Sequence, residues 1–162
     1  MSSFPDFEVR RYHKLDLAAD MLIDADSRLR KPATPLDYVT VILLAGAVAN
    51  IIIPLLKEAG VKPAREIFAN LTNMFEGRPA DAEKVDPRDF LFAYNSLKHA
   101  GGGGRGKASG DLVVEMCLYS EAMSIMQDTI LDASQLPVTD SDRARFRDCL
   151  QHLIESDLYS LD

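Results

Sequence analysis

The chain is 162 residues long, and 47% of its residues are apolar while 27% are charged. A chain of this length is expected to form one domain with a sizeable core, and its composition is that of a globular protein rather than a disordered one. Its 18 basic and 25 acidic residues give a net charge of −7, which disfavours non-specific nucleic-acid binding over the whole surface. Contact with RNA phosphates would need a local basic patch.

The compartment is indicated by the N-terminal segment and the cysteines. Residues 1–14 are charged and lack the apolar stretch of a secretory signal. The chain has two cysteines, Cys117 and Cys149. We therefore expect a single cytoplasmic domain over residues 1–162, with both thiols free and packed as small apolar groups.

The first two helices are predicted from apolar residues that recur at steps of three and four and from capping residues. One helix is predicted over residues 9–29. Its apolar positions are Tyr12, Leu15, Ala18, Leu22, Ala25 and Leu29. Thr34 followed by Pro35 predicts the N-cap and first residue of the next helix, and Gly60 predicts its C-terminal end.

The second helix contains an uncharged stretch over residues 38–56, whose one strongly polar side chain is Asn50. The stretch is long enough to span a membrane. However, Gly46 and Pro54 lie inside it, charged residues flank it closely, and the other predicted helices have charged faces. These features favour a helix buried in a bundle or a dimer interface over a membrane span. Gly46 would then allow close helix approach, and Asn50 would need a hydrogen-bond partner or an opening to water.

Four further helices follow along the chain. Pro63 is predicted to open a helix with Ile67, Phe68, Leu71 and Phe75 as its buried stripe. After a loop over residues 78–86, Asp86 and Pro87 predict the start of a helix that ends at His99. A helix over residues 112–133 carries a core stripe of Met116, Tyr119, Met123, Met126 and Ile130. A last helix begins at Thr139 and runs through Phe146, Leu150, Ile154 and Leu158. The predicted fold is an all-α antiparallel bundle of five to six helices around a buried apolar central helix.

The glycine-rich segment over residues 101–110 partly matches a phosphate-binding loop. A Walker loop needs a serine or threonine where Ala108 stands, and it follows a strand rather than a helix, so we predict a flexible linker here. Arg105 and Lys107, together with Lys98, form a local basic cluster that could contact a ligand or a phosphate. The three histidines and two cysteines lack ligand spacing, and we expect no metal and no cofactor.

Two histidine patterns could carry chemistry. Asn95 and His99 are four residues apart, so on a helix they share a face and could act on one ligand. The alternative is an exposed polar face near a helix C-terminus, where a protonated histidine is favoured by the helix dipole. Arg147 and His152 in the last helix are five residues apart, a spacing expected by chance in a chain with many arginines.

The order of elements resembles the small helical HEPN domains of prokaryotes. The likeness rests on residues 14–19 (KLDLAA), residues 42–47 (ILLAGA), residues 95–99 (NSLKH) and the long apolar helix after them. It covers a core over about residues 12–133 and leaves the helix over about residues 139–160 as an addition.

The resemblance implies a four-helix core, commonly a homodimer, and in active members a metal-independent ribonuclease. These enzymes carry an R-x(4–6)-H motif with a polar residue after the arginine. The histidine would act as general acid or base, and the arginine would stabilise charge on the phosphate. His99 and Asn95 fit this motif, but Tyr94 stands at the arginine position, and Phe92 and Ala93 fill the other permitted spacings.

The favoured functional prediction is therefore a non-catalytic HEPN-like bundle that acts through dimerisation and through partner or ligand binding. One alternative is a toxin-type endoribonuclease that uses His99 and Asn95, with Arg105 or Arg88 supplying the missing cation. A second alternative is a membrane-associated helical protein anchored through residues 38–56.

Overall fold

The computed structural model describes residues 9–76, 91–98, 113–138 and 143–159, and within these ranges it contains helices and no strand. The helices are α1 (Lys14–Arg30), α2 (Pro35–Glu58), α3 (Ala64–Phe75), α4 (Phe92–Lys98), α5 (Leu118–Gln135) and α6 (Ala144–Ile154), followed by a 3₁₀ turn at Asp157–Tyr159. The predicted all-α class is confirmed. The predicted loop over 78–86, the helix start at Asp86, the glycine-rich segment and the cap at Thr139 lie outside the described residues.

The core forms where α2 packs against α1 and α5, and α6 covers the junction of α1 with α5. Alanines on α1 and α2 lie among larger apolar side chains that all four helices contribute to the core. The fully buried residues are Ala18, Ala19, Leu22 and Ala25 of α1, Val41, Ile42, Ala45, Val48, Ile52 and Leu56 of α2, Ala122 and Met126 of α5, and Phe146 and Leu153 of α6.

Both ends of α2 follow the predicted capping signals. At the N-terminus, the carboxylate of Asp37 accepts hydrogen bonds from the backbone N–H groups of Thr34 and Ala33, each at 2.9 Å. These bonds, together with Arg28, hold the pKa of Asp37 below its usual value. At the C-terminus, Gly60 has a φ of 73° and closes a Schellman motif.

The motif at Gly60 depends on a left-handed backbone that L-residues rarely adopt. No atom lies within 4 Å of the position that a Cβ would take, so a substitution here tests the backbone alone. We expect Gly60→Ala to lower the free energy of unfolding by about 1 kcal/mol, and Gly60→Asn to lower it less, because asparagine tolerates this conformation. Urea denaturation of both variants measures this, and equal losses for the two would contradict the assignment.

Two predicted stripes include residues that lie outside the core. α1 begins at Lys14 rather than near residue 9, because His13 caps it by accepting a hydrogen bond from the N–H of Leu15 at 3.2 Å. Tyr12 therefore precedes the helix and is 68% exposed. In the stripe predicted for residues 112–133, Met126 and Ile130 are buried and the other methionines are partly buried, but Tyr119 is half-exposed against Tyr38.

The predicted buried stripe of α3 is wrong, because the helix presents it outward. Ile67 is 39% exposed, Leu71 is 40% exposed and Phe75 is 86% exposed, whereas Phe68 is partly buried. The inner side of α3 carries small and polar residues, and Ala69 is buried there. The N-terminus of α3 is also held by a tertiary cap: the carboxylate of Asp132 on α5 accepts a hydrogen bond from the backbone N–H of Ala64 at 2.6 Å. Helix α3 thus contacts the rest of the chain through its N-terminal N–H group and its small buried residues, Ala64 and Ala69.

The contact of α3 with α5 also contains an unusual carboxyl group. Asp128 lies one turn before Asp132 and is half-buried. Burial and then the neighbouring charge of Asp132 raise the pKa of Asp128 to about 6. Because the folded state prefers the protonated form, the stability that this proton contributes is full below pH 4 and is lost as the pH rises through 6.

We therefore expect Asp128→Asn to raise the free energy of unfolding at pH 7.5 by about 1–2 kcal/mol, a value that allows for the partial exposure of the carboxyl group. The variant should also flatten the fall in stability between pH 4 and 6. Thermal melts across this pH range provide the measurement. Asp148→Asn on the exposed surface of α6 is the control and should leave the pH dependence unchanged. If the stability of Asp128→Asn fell between pH 4 and 6 as much as that of the native chain, the raised pKa would not belong to Asp128.

The two cysteines differ in their surroundings. Both are free, as predicted, but Cys117 is exposed and only Cys149 is packed in the core. The Cys149 thiol faces the backbone carbonyl of Ala19 at 3.6 Å, and burial raises its pKa to about 11. Cys117 lies at the N-terminus of α5, where hydrogen bonding from Ser120 lowers its pKa.

Among the described helices, α2 is long and apolar enough to cross a membrane by length and composition. It has 24 residues, and the most apolar 18-residue window has a mean hydropathy of 2.5 and is 50% buried inside the chain. The core helix of a soluble protein passes the same test.

Candidate functional site

The short helix α4 carries the part of the predicted motif that lies within the described residues. Asn95 and Lys98 belong to it, whereas His99, Arg105 and Lys107 lie outside the described ranges. Asn95 is partly buried, and Lys98 is exposed. The helix packs against α2, which sets the position of both side chains.

Tyr94, at the position where the motif would have arginine, is built into the core. It is 6% exposed, and its ring lies directly over the backbone of Gly46, where any Cβ would overlap the ring. Its hydroxyl accepts a hydrogen bond from the side-chain amide of Asn50 at 3.1 Å. The predicted close approach at Gly46 is therefore confirmed. Asn50 is exposed to solvent and is also bonded to Tyr94, so it has both the opening to water and the partner that were offered as alternatives.

A cation lies beside this tyrosine. The Nζ atom of Lys98 is 5.3 Å from the centroid of the Tyr94 ring, within the range of a cation–π contact. Lys98 is exposed, so the attraction is worth at most about 1 kcal/mol. The contact nevertheless holds a positive charge close to the position where the motif would place its arginine.

The close contact at Gly46 can be tested by a double-mutant cycle. We expect Gly46→Ala to lower the free energy of unfolding by about 2–3 kcal/mol, because the added methyl group must displace the ring of Tyr94. In a Tyr94→Ala background the same change should cost much less, since the obstructing ring is absent. Chemical denaturation of the two single variants and the double variant gives the coupling. Additive losses would show that the ring does not lie over Gly46.

Asn50 also lines a groove of about 840 Å³ on the surface next to this contact. Three parts of the chain form the groove: the start of α1, the second half of α2, and the segment after α5 together with the residue before α6. The apolar residues that line it include Ile51, Pro54, Leu55, Leu136 and Val138. The polar residues that line it include Tyr12, His13, Lys14, Glu58 and Arg143.

The polar residues that line this groove carry charges of both signs. His13 uses Nδ1 to cap α1, so a neutral imidazole carries its proton on Nε2. The guanidinium of Arg143 lies 3.5 Å from the carboxylate of Asp16, with its side chain 20% exposed. Lys14 adds a second permanent positive charge, and Glu58 is the one acidic residue among those that line the groove.

Sequence reasoning missed this groove, because residues from three distant segments form it. The available signal was the basic run over residues 10–14, RRYHK, whose last residue, Lys14, is the first residue of α1. The amphipathic helix predicted over residues 9–29 includes this stretch. In the structure the stretch ends at a helix cap instead, and three of its residues line the groove.

The second sequence pattern, Arg147 and His152, lies on α6, and both side chains are exposed. Arg147 borders a smaller groove of about 350 Å³, and His152 is not among the described residues that line it. The two residues therefore share no cavity. Across the described ranges, no cluster of three or more histidine, cysteine, aspartate or glutamate residues is arranged to hold a metal ion.

Comparison with known proteins adds no relative. No protein-family model matches the chain, and neither a curated protein nor a solved structure matches it. The likeness to HEPN domains therefore stays a prediction from the sequence.

Proposed function

We propose that this chain is a HEPN-like helical bundle without catalytic activity, which acts through dimerisation and through binding of a partner or ligand. The observation that carries this proposal is the packing of Tyr94. In the R-x(4–6)-H motif of active HEPN ribonucleases, this position would hold an arginine that contacts the RNA phosphate. An arginine in the place of Tyr94 would bring a guanidinium against Gly46 in the core, at a large desolvation cost. The position serves packing instead of phosphate binding.

The proposal includes an antiparallel arrangement with α2 as the central helix. Residues 31–34 join α1 to α2, and these two helices pack against each other. A connection this short favours antiparallel neighbours. The contacts of α2 with α1, α4 and α5 support its central place.

One observation favours the ribonuclease alternative. Lys98 lies close to the arginine position of the motif, beside the Tyr94 ring, and Asn95 lies on the same helix. With His99, these residues would supply a cation, a polar group and a general acid or base. Lysine is a weaker substitute, because it lacks the bidentate geometry with which arginine binds phosphate.

An RNA-cleavage assay separates these two functions. Purified protein is incubated with single-stranded and hairpin RNA in the presence of EDTA, beside the variants His99→Ala and Lys98→Ala. His152→Ala, which removes an exposed histidine from α6, is the matched control. We expect all four proteins to leave the RNA intact. Cleavage that is lost in His99→Ala and Lys98→Ala but kept in His152→Ala would establish the enzyme and overturn the non-catalytic proposal.

The outward face of α3 supports the dimerisation part of the proposal. Ile67, Leu71, Met74 and Phe75 recur at helical spacing on one side of the helix, and all four are exposed. A contiguous apolar face of this kind marks an interaction surface more often than a solvated one. We propose that α3 of a second copy covers it, because a two-fold contact lets one apolar face bury its own equivalent.

We expect the native chain to be a dimer in sedimentation equilibrium, and Leu71→Glu to be a monomer with an unchanged helical circular-dichroism spectrum. The charge placed in the apolar face would be buried without a partner in the dimer. Ser124→Glu adds the same charge at an exposed position of α5 and should remain dimeric. A native chain that stays monomeric at all concentrations, or a dimer that Leu71→Glu leaves intact, would rule out this interface.

A further inference from the structure

Helix α3 is attached to the rest of the chain by few groups. Among the described helices it packs chiefly on α5, and its buried side chains are Ala64 and Ala69, which remove little apolar area from water. The larger side chains Ile67, Leu71 and Phe75 are exposed. An element with so few buried apolar contacts belongs to the parts of a fold that open locally at low free energy. A modest change of charge at this contact is therefore enough to alter how firmly α3 is held.

Two carboxyl groups of α5 lie at this contact. Asp132 is 3% exposed, and its carboxylate holds the N-terminus of α3 through the hydrogen bond from the Ala64 N–H. Asp128 lies one turn earlier on the same side of α5 and is half-buried. Like charges at this spacing repel each other, and burial strengthens the repulsion because less water screens it. A proton on Asp128 removes the repulsion and leaves the cap of α3 in place.

The other charged groups at the contact act on Asp132 rather than on Asp128. Burial raises the pKa of Asp132, its cap bond and Arg65 of α3 oppose this shift, and Glu66 of α3 adds to it. Lys57, at the end of α2, is paired with Glu66 at 2.8 Å. Within the described ranges, burial and then the charge of Asp132 raise the pKa of Asp128 to about 6. Docking of α3 is therefore strongest below pH 4 and weakens as the pH rises through 6.

We propose that α3 is a proton-linked flap, which stays docked on α5 while Asp128 is protonated and opens more often once Asp128 and Asp132 are both charged. Because α3 carries the exposed apolar face, the same proton sets how firmly that face is positioned. The flap concerns how α3 is held on its own chain and does not require a second copy. The fraction of molecules with α3 open should rise about fivefold between pH 5 and pH 7.5, a value that allows for solvent screening of the partly exposed carboxyl group.

The experiment is hydrogen exchange of the full chain at pH 5 and at pH 7.5. The protection of the α3 amides, which is the ratio of their intrinsic to their observed exchange rate at the same pH, should fall about fivefold between the two conditions. In low concentrations of urea, exchange in α3 should stay constant while exchange in the buried part of α2 accelerates. A local opening exposes little new surface, whereas global unfolding exposes much more.

Three variants locate the effect. Asp128→Asn cannot ionise, so its α3 amides should be protected at pH 7.5 no less than at pH 5. Asp148→Asn, at an exposed position of α6, is the matched control and should show the native fall. Asp132→Ala removes the acceptor of the cap and should lower the protection of α3 about fivefold at pH 5, with a native-like circular-dichroism spectrum.

The same exchange measurement is made in Leu71→Glu, in which no contact between two copies of α3 can protect the helix. The fall in protection is expected there too, so the absence of a dimer and the absence of the flap give different results. Equal protection of α3 at both pH values, a native fall in Asp128→Asn, or exchange in α3 that follows urea as it does in α2 would overturn the proposal. Unchanged protection of α3 in Asp132→Ala would overturn it as well.

Discussion

The contact between Tyr94 and Gly46 is the constraint on which the arrangement of α4 depends. The ring can lie against α2 only because Gly46 has no side chain, and the hydroxyl is then within reach of Asn50. This contact decides three things at once. It buries the side chain at position 94, it places Lys98 beside the ring, and it holds the Asn50 side chain that also lines the groove.

Buried and half-buried acidic groups position the outer elements around the core. Asp132 caps α3 from the side of α5, while the apolar face of α3 is exposed. Asp26 on α1 accepts a hydrogen bond from the hydroxyl of Tyr159 at 2.7 Å and pairs with Arg30, which holds the C-terminal turn against α1. Neither acid is free to serve a ligand. The groove, in contrast, is lined by aliphatic side chains together with charged groups of both signs.

Sequence reasoning succeeded where the signal is local. The capping residues Thr34 and Gly60 marked the ends of α2 correctly, because caps act within one turn of the helix. It failed at α3, because the periodicity of Ile67, Leu71 and Phe75 identifies an apolar face without saying what that face meets. It also placed the start of α1 too early, since periodicity continued through residues that the cap at His13 excludes from the helix.

The all-helical class and the capping of α2 could be predicted from the order of residues alone, because they depend on backbone preferences and on the spacing of apolar side chains. The ring that packs on Gly46, the outward face of α3 and the groove could not. Each of these joins residues far apart in the chain: Asn50 to Tyr94, Ala64 to Asp132, and Lys14 to Val138. Such contacts are set by which helices pack together, and that choice is made by the whole core rather than by any one segment.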